Sequence, residues 1–118
     1  MEKSNDMLIP EFERLLKDGH MVEFTPRGVS MRPFIEGGKD NVILSMGRKP
    51  KVGNIVLART NGIYVLHRIY QINGQQIILQ GDGNLKGQEL CTPQDIIGTV
   101  IQIKKNNGKS KRLTKARI

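Results

Sequence analysis

The chain has 118 residues, enough for one domain with a single modest core. It holds no Trp, two Tyr and three Phe, so the core must be mostly Ile, Val and Leu, a composition that suits β-structure. Nineteen Lys and Arg against eleven Asp and Glu give a net charge of +8. The excess is local: residues 104–118 carry Lys104, Lys105, Lys109, Lys111, Arg112, Lys115 and Arg117 and no acid, while the rest of the chain is nearly neutral. Cys91 is the single cysteine, which excludes an intrachain disulfide and, with no Cys or His close to it in sequence, argues against a zinc site. There is no run of about 18 apolar residues, and Met1-Glu2-Lys3-Ser4-Asn5-Asp6 lacks the apolar core of a secretory signal, so a cytoplasmic location is expected.

In chain order, residues 6–18 predict an amphipathic helix with Leu8, Phe12, Leu15 and Leu16 on one face and Ile9 at its edge. Asp6 suits the N-cap, Pro10 the first turn and Gly19 the end. Strands follow at Met21–Thr25 and Val42–Ser45. The strongest local signal is three β-rich runs, Ile55–Thr60, Ile63–Ile72 and Gln75–Gln80, separated by Asn61-Gly62 and Asn73-Gly74. Asn-Gly between such runs predicts tight hairpins in which both turn residues take positive φ, so the three form an antiparallel meander. A last strand is expected at Ile97–Lys104. Residues 1–103 then form one β domain, and 104–118 a flexible basic tail. Its charge suits an anionic membrane surface, with a merely solubilising tail as the plain alternative. Nucleic acid is disfavoured, because no aromatic residue interleaves the basic run and no helix-turn-helix pattern precedes it.

His67 falls midway along the central strand of the meander. Period-2 alternation places it with Ile63, Val65 and Ile69, and sends Tyr64, Leu66, Arg68 and Tyr70 to the other face. A histidine among apolar neighbours is commonly a packing residue; what distinguishes this one is its company. Upstream lies Gly28-Val29-Ser30-Met31-Arg32-Pro33, and downstream Gly81-Asp82-Gly83-Asn84. A serine, a histidine and a carboxylate are the parts of a nucleophile, base and orienter set. The apolar strand favours the neutral imidazole that a general base requires. His20 has no such context and is expected at the surface.

These motifs resemble the superfamily of signal peptidase I and the LexA-type self-cleaving repressors. Its nucleophile motif, Gly-x-Ser-Met-x-Pro, is matched by Gly28 to Pro33. A Gly-Asp block is blurred here as Gly38-Lys39-Asp40. Val52-Gly53-Asn54-Ile55-Val56 matches a Val-Gly-Asp-Ile-Val block with Asn54 in place of Asp, and Gly81 to Asn84 and Ile96-Ile97-Gly98 match the closing blocks. The resemblance covers about Phe24 to Ile103. It implies a mainly β fold, a coiled antiparallel β-sheet barrel with a short N-terminal helix. It also implies a serine endopeptidase that takes a peptide or protein substrate and needs no metal or cofactor.

The resemblance assigns Ser30 as nucleophile. Bacterial signal peptidases and LexA-type proteins use a lysine base; His67 at that position is similar to the Ser-His variety of endoplasmic-reticulum and archaeal signal peptidases. Lys51, ahead of the strand, is a poor substitute. Histidine, with an ordinary pKa near ~6.5, needs little tuning to act as a base at neutral pH. Asp82 is the preferred orienter and Glu89 the alternative acid. Gly28 and Pro33 shape the turn, Met31 packs beneath the site or lines a pocket, and Arg32 points to solvent. The Ser30 N–H forms part of an oxyanion hole, while Gly28 cannot supply the hydroxyl donor that some relatives place two residues before the nucleophile. Signal peptidases are tethered by hydrophobic helices, and no such span is read here, so the expectation is either a substrate cleaved in the cytoplasm or peripheral contact with a membrane. The competing readings are a LexA-like regulatory or dimerisation module and an inactive binding domain. Self-cleavage of the LexA kind is disfavoured because residues 1–29 contain neither Ala nor Cys for an Ala-Gly or Cys-Gly bond.

Overall fold

The computed structural model describes residues 5–28, 30–83 and 87–113, with side chains from residue 10 onward. The side chains of Leu8 and Ile9 lie outside the described part of the chain, as do Val29, Asn84, Lys115 and Arg117. The helix α1 (Asn5–Lys17) is followed by eight strands: β1 (Val22–Phe24), β2 (Asn41–Ser45), β3 (Ile55–Thr60), β4 (Ile63–Asn73), β5 (Gln76–Gln80), β6 (Gln88–Cys91), β7 (Ile96–Lys104) and β8 (Ser110–Arg112). They form one sheet in the order β1-β2-β7-β3-β4-β5-β6, with β8 beside the second half of β7, and every pairing is antiparallel. The mainly β expectation holds. The barrel does not close: among the described residues β1 and β6 end the path without meeting. None of the described helices is long and apolar enough to cross a membrane.

The sheet is buried on both sides where it matters. Ile55 and Leu57 of β3 join one core with Phe12, Leu16, Val42, Leu44 and Ile97. Val56 and Ala58, on the opposite face, join a second core with Ile69, Ile77, Leu79 and Cys91. A strand buried on both faces loses the polar alternation of a half-exposed one. The helix closes the first core: the Phe12 and Phe24 rings lie 5.1 Å apart, and Leu16 sits over Gly98, where an added Cβ would come within 3.1 Å of Leu16 Cδ1. Burying a leucine of this kind contributes about 2 kcal/mol.

Several local expectations need correction. The helix is already running at Asn5, so Asp6 is a helical residue and Pro10 lies in the helix interior. Gly19 does end it, with His20 N–H on the Leu15 carbonyl and Gly19 N–H on that of Leu16. At the first hairpin, Thr60 pairs with Ile63, and Asn61 (φ 50) and Gly62 (φ 80) turn as expected. At the second, Asn73 is still paired, with Gln76, so the turn residues are Gly74 and Gln75. Only Gly74 has positive φ there, the pattern of a type II′ turn. A bulge between Ile69 and Gln71 shifts the register, and this moves the turn by one residue. The strand β6 was not expected from sequence.

The segment expected as a flexible tail is also different through Leu113. β7 continues to Lys104, turns through the Lys105 N–H bond to the Lys109 carbonyl, and returns as β8. The hairpin is fastened by Asp40, which is 1 % exposed. Its carboxylate accepts from Lys105 Nζ at 2.5 Å, Asn106 N–H at 2.9 Å and Glu36 N–H at 2.7 Å. Burial would raise this carboxyl, but those three donors and the Lys105 charge hold it below its ordinary value.

Candidate active site

Ser30 lies on the connection between β1 and β2, which the fold holds at several points. Gly38 N–H bonds the Pro26 carbonyl at 2.7 Å and Ile35 N–H bonds that of Met31 at 2.9 Å. Gly28 has φ +91, and a Cβ at Gly37 would collide with the Gly28 carbonyl, so the two ends of the loop touch backbone to backbone. Arg32–Pro33 is a cis peptide. Arg32 is exposed, as expected, and forms a two-pronged ion pair with Glu36 at 2.7 and 2.9 Å. Met31 is 4 % exposed and belongs to the first core.

The second side of the site is the Gly81–Gly83 segment leaving β5. Gly83 N–H donates to the Ser30 carbonyl at 2.7 Å, and Asp82 N–H to Met31 Sδ at 3.5 Å. Gly81 is wedged between Ser30 and His67. A Cβ there would fall on the Ser30 carbonyl and come within 3.0 Å of Ser30 Cβ and 3.1 Å of His67 Cδ2. Glycine is needed because the Ser30 and His67 side chains and a backbone carbonyl converge on that point. Ser30 and His67 also line one cavity of about 230 Å³ with Pro26, Met31, Ile35, Tyr64 and Leu66.

His67 is 6 % exposed. Its Nδ1 is 2.5 Å from Glu89 Oε1 on β6. The ring thus gives its Nδ1 side to a carboxylate and its Cδ2 edge, which borders Nε2, to Gly81 and Ser30. The register explains the acid: Ile69 is opposite Leu79, and Leu79 is opposite Glu89. Residues directly opposite share a face, and His67 shares that of Ile69 two residues along.

The preferred placement of Asp82 beside the imidazole is corrected by the same alternation. Arg68 faces away from His67, and Asp82 is on its side. Arg68 Nε and Nη2 each donate to Asp82 at 2.8 Å, and Nη1 reaches the Gly53 carbonyl at 2.8 Å. The Asp82 hydrogen bond raises the Arg68 guanidinium further above its ordinary value. Its guanidinium also lies 4.8 Å from the centre of the Phe34 ring. This bidentate clamp joins the strand that carries His67 to the segment that docks Ser30. Sequence reasoning missed Gly81 as a contact and Arg68 as a clamp. The adjacency of both to motif residues was the available signal. Cys91 is buried on β6, in the second core, and burial with the nearby Asp95 pushes its thiol up to about 11.

A mainly β sheet that brings a serine from a glycine-edged turn to a histidine backed by a glutamate defines the peptidase-fold class that the motifs resemble. The chain belongs to the Peptidase S24-like family, whose model matches residues 3–101. No curated protein matches the chain.

Proposed function

We propose that the protein is a serine-type endopeptidase with Ser30 as nucleophile, His67 as general base and Glu89, in place of Asp82, as the orienting acid. The observation that carries this reading is the imidazole itself, buried between the Glu89 carboxylate on one side and Gly81 and Ser30 on the other. A carboxylate at Nδ1 holds the proton there and leaves Nε2 free to accept one. Ser30 Oγ attacks the peptide carbonyl carbon as its proton passes to His67 Nε2. The tetrahedral oxygen is stabilised by the Ser30 N–H. Collapse breaks the C–N bond, and the imidazolium returns the proton to the departing amine. Water then repeats the sequence on the acyl-enzyme and releases the acid. The cavity beside Ser30 receives a substrate side chain. Asp82, bound to Arg68, holds the site together without touching the reacting groups.

The test is cleavage of a peptide library, read by mass spectrometry, for the natural chain, Ser30→Ala and His67→Ala. Cleavage lost in both variants, with circular dichroism unchanged, is expected. Three folded proteins and no cleavage by any of them would instead favour a regulatory or dimerisation module on this fold.

A further inference from the structure

The β7–β8 hairpin carries charge that the site does not use. Lys104 pairs with Glu23 at 3.0 Å and Lys105 with the buried Asp40, so those two cations are compensated internally. Lys109, Lys111 and Arg112 are exposed, and the sequence adds Lys115 and Arg117 with no acid after Asp95. Five cations thus fall within nine residues, beside a domain otherwise close to neutral.

We propose that the exposed cations of this hairpin dock the protein on an anionic lipid surface. Two observations favour lipid over nucleic acid. Phe34, a ring against the hairpin, has Lys111 Nζ 4.6 Å and the Arg68 guanidinium 4.8 Å from its centre, so cations already occupy the ring on which a base would stack. The strand β8 is only three residues long, too short a ribbon to follow a DNA groove. A sequence cluster of five Lys and Arg with no acid among them is what an anionic bilayer attracts. Because Asp40 and Phe34 fasten the hairpin to the loop that carries Ser30, docking would also fix how that loop lies relative to the membrane. The docking does not depend on the peptidase reading.

Vesicle co-sedimentation of the full chain tests it, comparing phosphatidylcholine vesicles with vesicles rich in phosphatidylserine. Binding to the anionic vesicles alone is expected, weakening by about tenfold or more as salt rises from ~0.1 M to several times that. K109Q/K111Q/R112Q should lose at least about tenfold in partitioning. K109Q/R112Q, which leaves the Lys111 contact with Phe34 in place, should lose a smaller share and retain the natural thermal midpoint. Equal binding to both vesicles, no binding at low salt, or unaltered partitioning of both variants would overturn the proposal. So would tighter binding to an oligonucleotide or a poly-glutamate peptide than to anionic vesicles at equal anion concentration.

Discussion

Glu89 Oε1 lies 2.5 Å from His67 Nδ1, although the strands that carry the two residues are separated by β5. Asp82, nearer His67 in sequence, is instead held by Arg68.

The two acids therefore separate by experiment. Glu89→Gln should lower kcat/KM by about 10²–10⁴-fold with little loss of stability, as expected when a base loses its orienting carboxylate. Asp82→Asn should mainly cost stability, about 1–2 kcal/mol for a half-buried bidentate pair, with a smaller effect on turnover. Steady-state kinetics alongside urea melts distinguish them. The reverse pattern would return the orienting role to Asp82.

Gly81→Ala is the sharpest steric probe. The new methyl would collide with the Ser30 carbonyl and crowd the His67 ring. Overpacking of this kind should destabilise by about 1–3 kcal/mol. Turnover should fall further than stability does, because relief of the clash moves Ser30 and His67 apart. Kinetics measured well below the variant's melting temperature would show this.

Asp40 predicts an acid sensitivity. Its folded carboxyl is held below its ordinary value, so its contribution is full above the unfolded pKa, near ~3.9, and fades as pH falls through the lower folded value. At neutral pH Asp40→Asn should cost about 2–3 kcal/mol, since Lys105 and two backbone amides lose a charged acceptor. Denaturation of both proteins across acid pH should show the difference shrinking below that window, and a pH-independent difference would contradict it.

Cys91, with its thiol pushed up to about 11 by burial, stays protonated at neutral pH. Native protein should react with a thiol reagent such as 5,5′-dithiobis-(2-nitrobenzoate) far more slowly than denatured protein, and alkylation should not be needed to protect activity. Rapid native labelling would place Cys91 outside the second core.

Much of the site is legible in the sequence, because its signals are local. The Gly28–Pro33 turn, the Asn61-Gly62 hairpin and the apolar alternation around His67 are each written within a few residues. The second hairpin differs by one residue from its sequence expectation because a bulge at Tyr70 leaves no mark in composition. The strand β6 escapes sequence reading because Gln88–Cys91 is four residues long and carries little apolar pattern of its own. It is a strand because β5 pairs with it.

The sequence by itself determined the residue types of the candidate site, the antiparallel meander that holds His67, and the concentration of positive charge at the C-terminal end. Only the tertiary structure decided which acid meets His67, that Gly81 is the point where Ser30 and the imidazole converge, and that basic residues through Arg112 form a hairpin fastened by Asp40. The physical reason is that side-chain alternation assigns a face within one strand, whereas partners across strands depend on register, bulges and sheet order. Those are set by long-range pairing and burial. Glu89 and Asp82 are both carboxylates in sequence; only the sheet puts one on the face of His67 and the other on the face of Arg68.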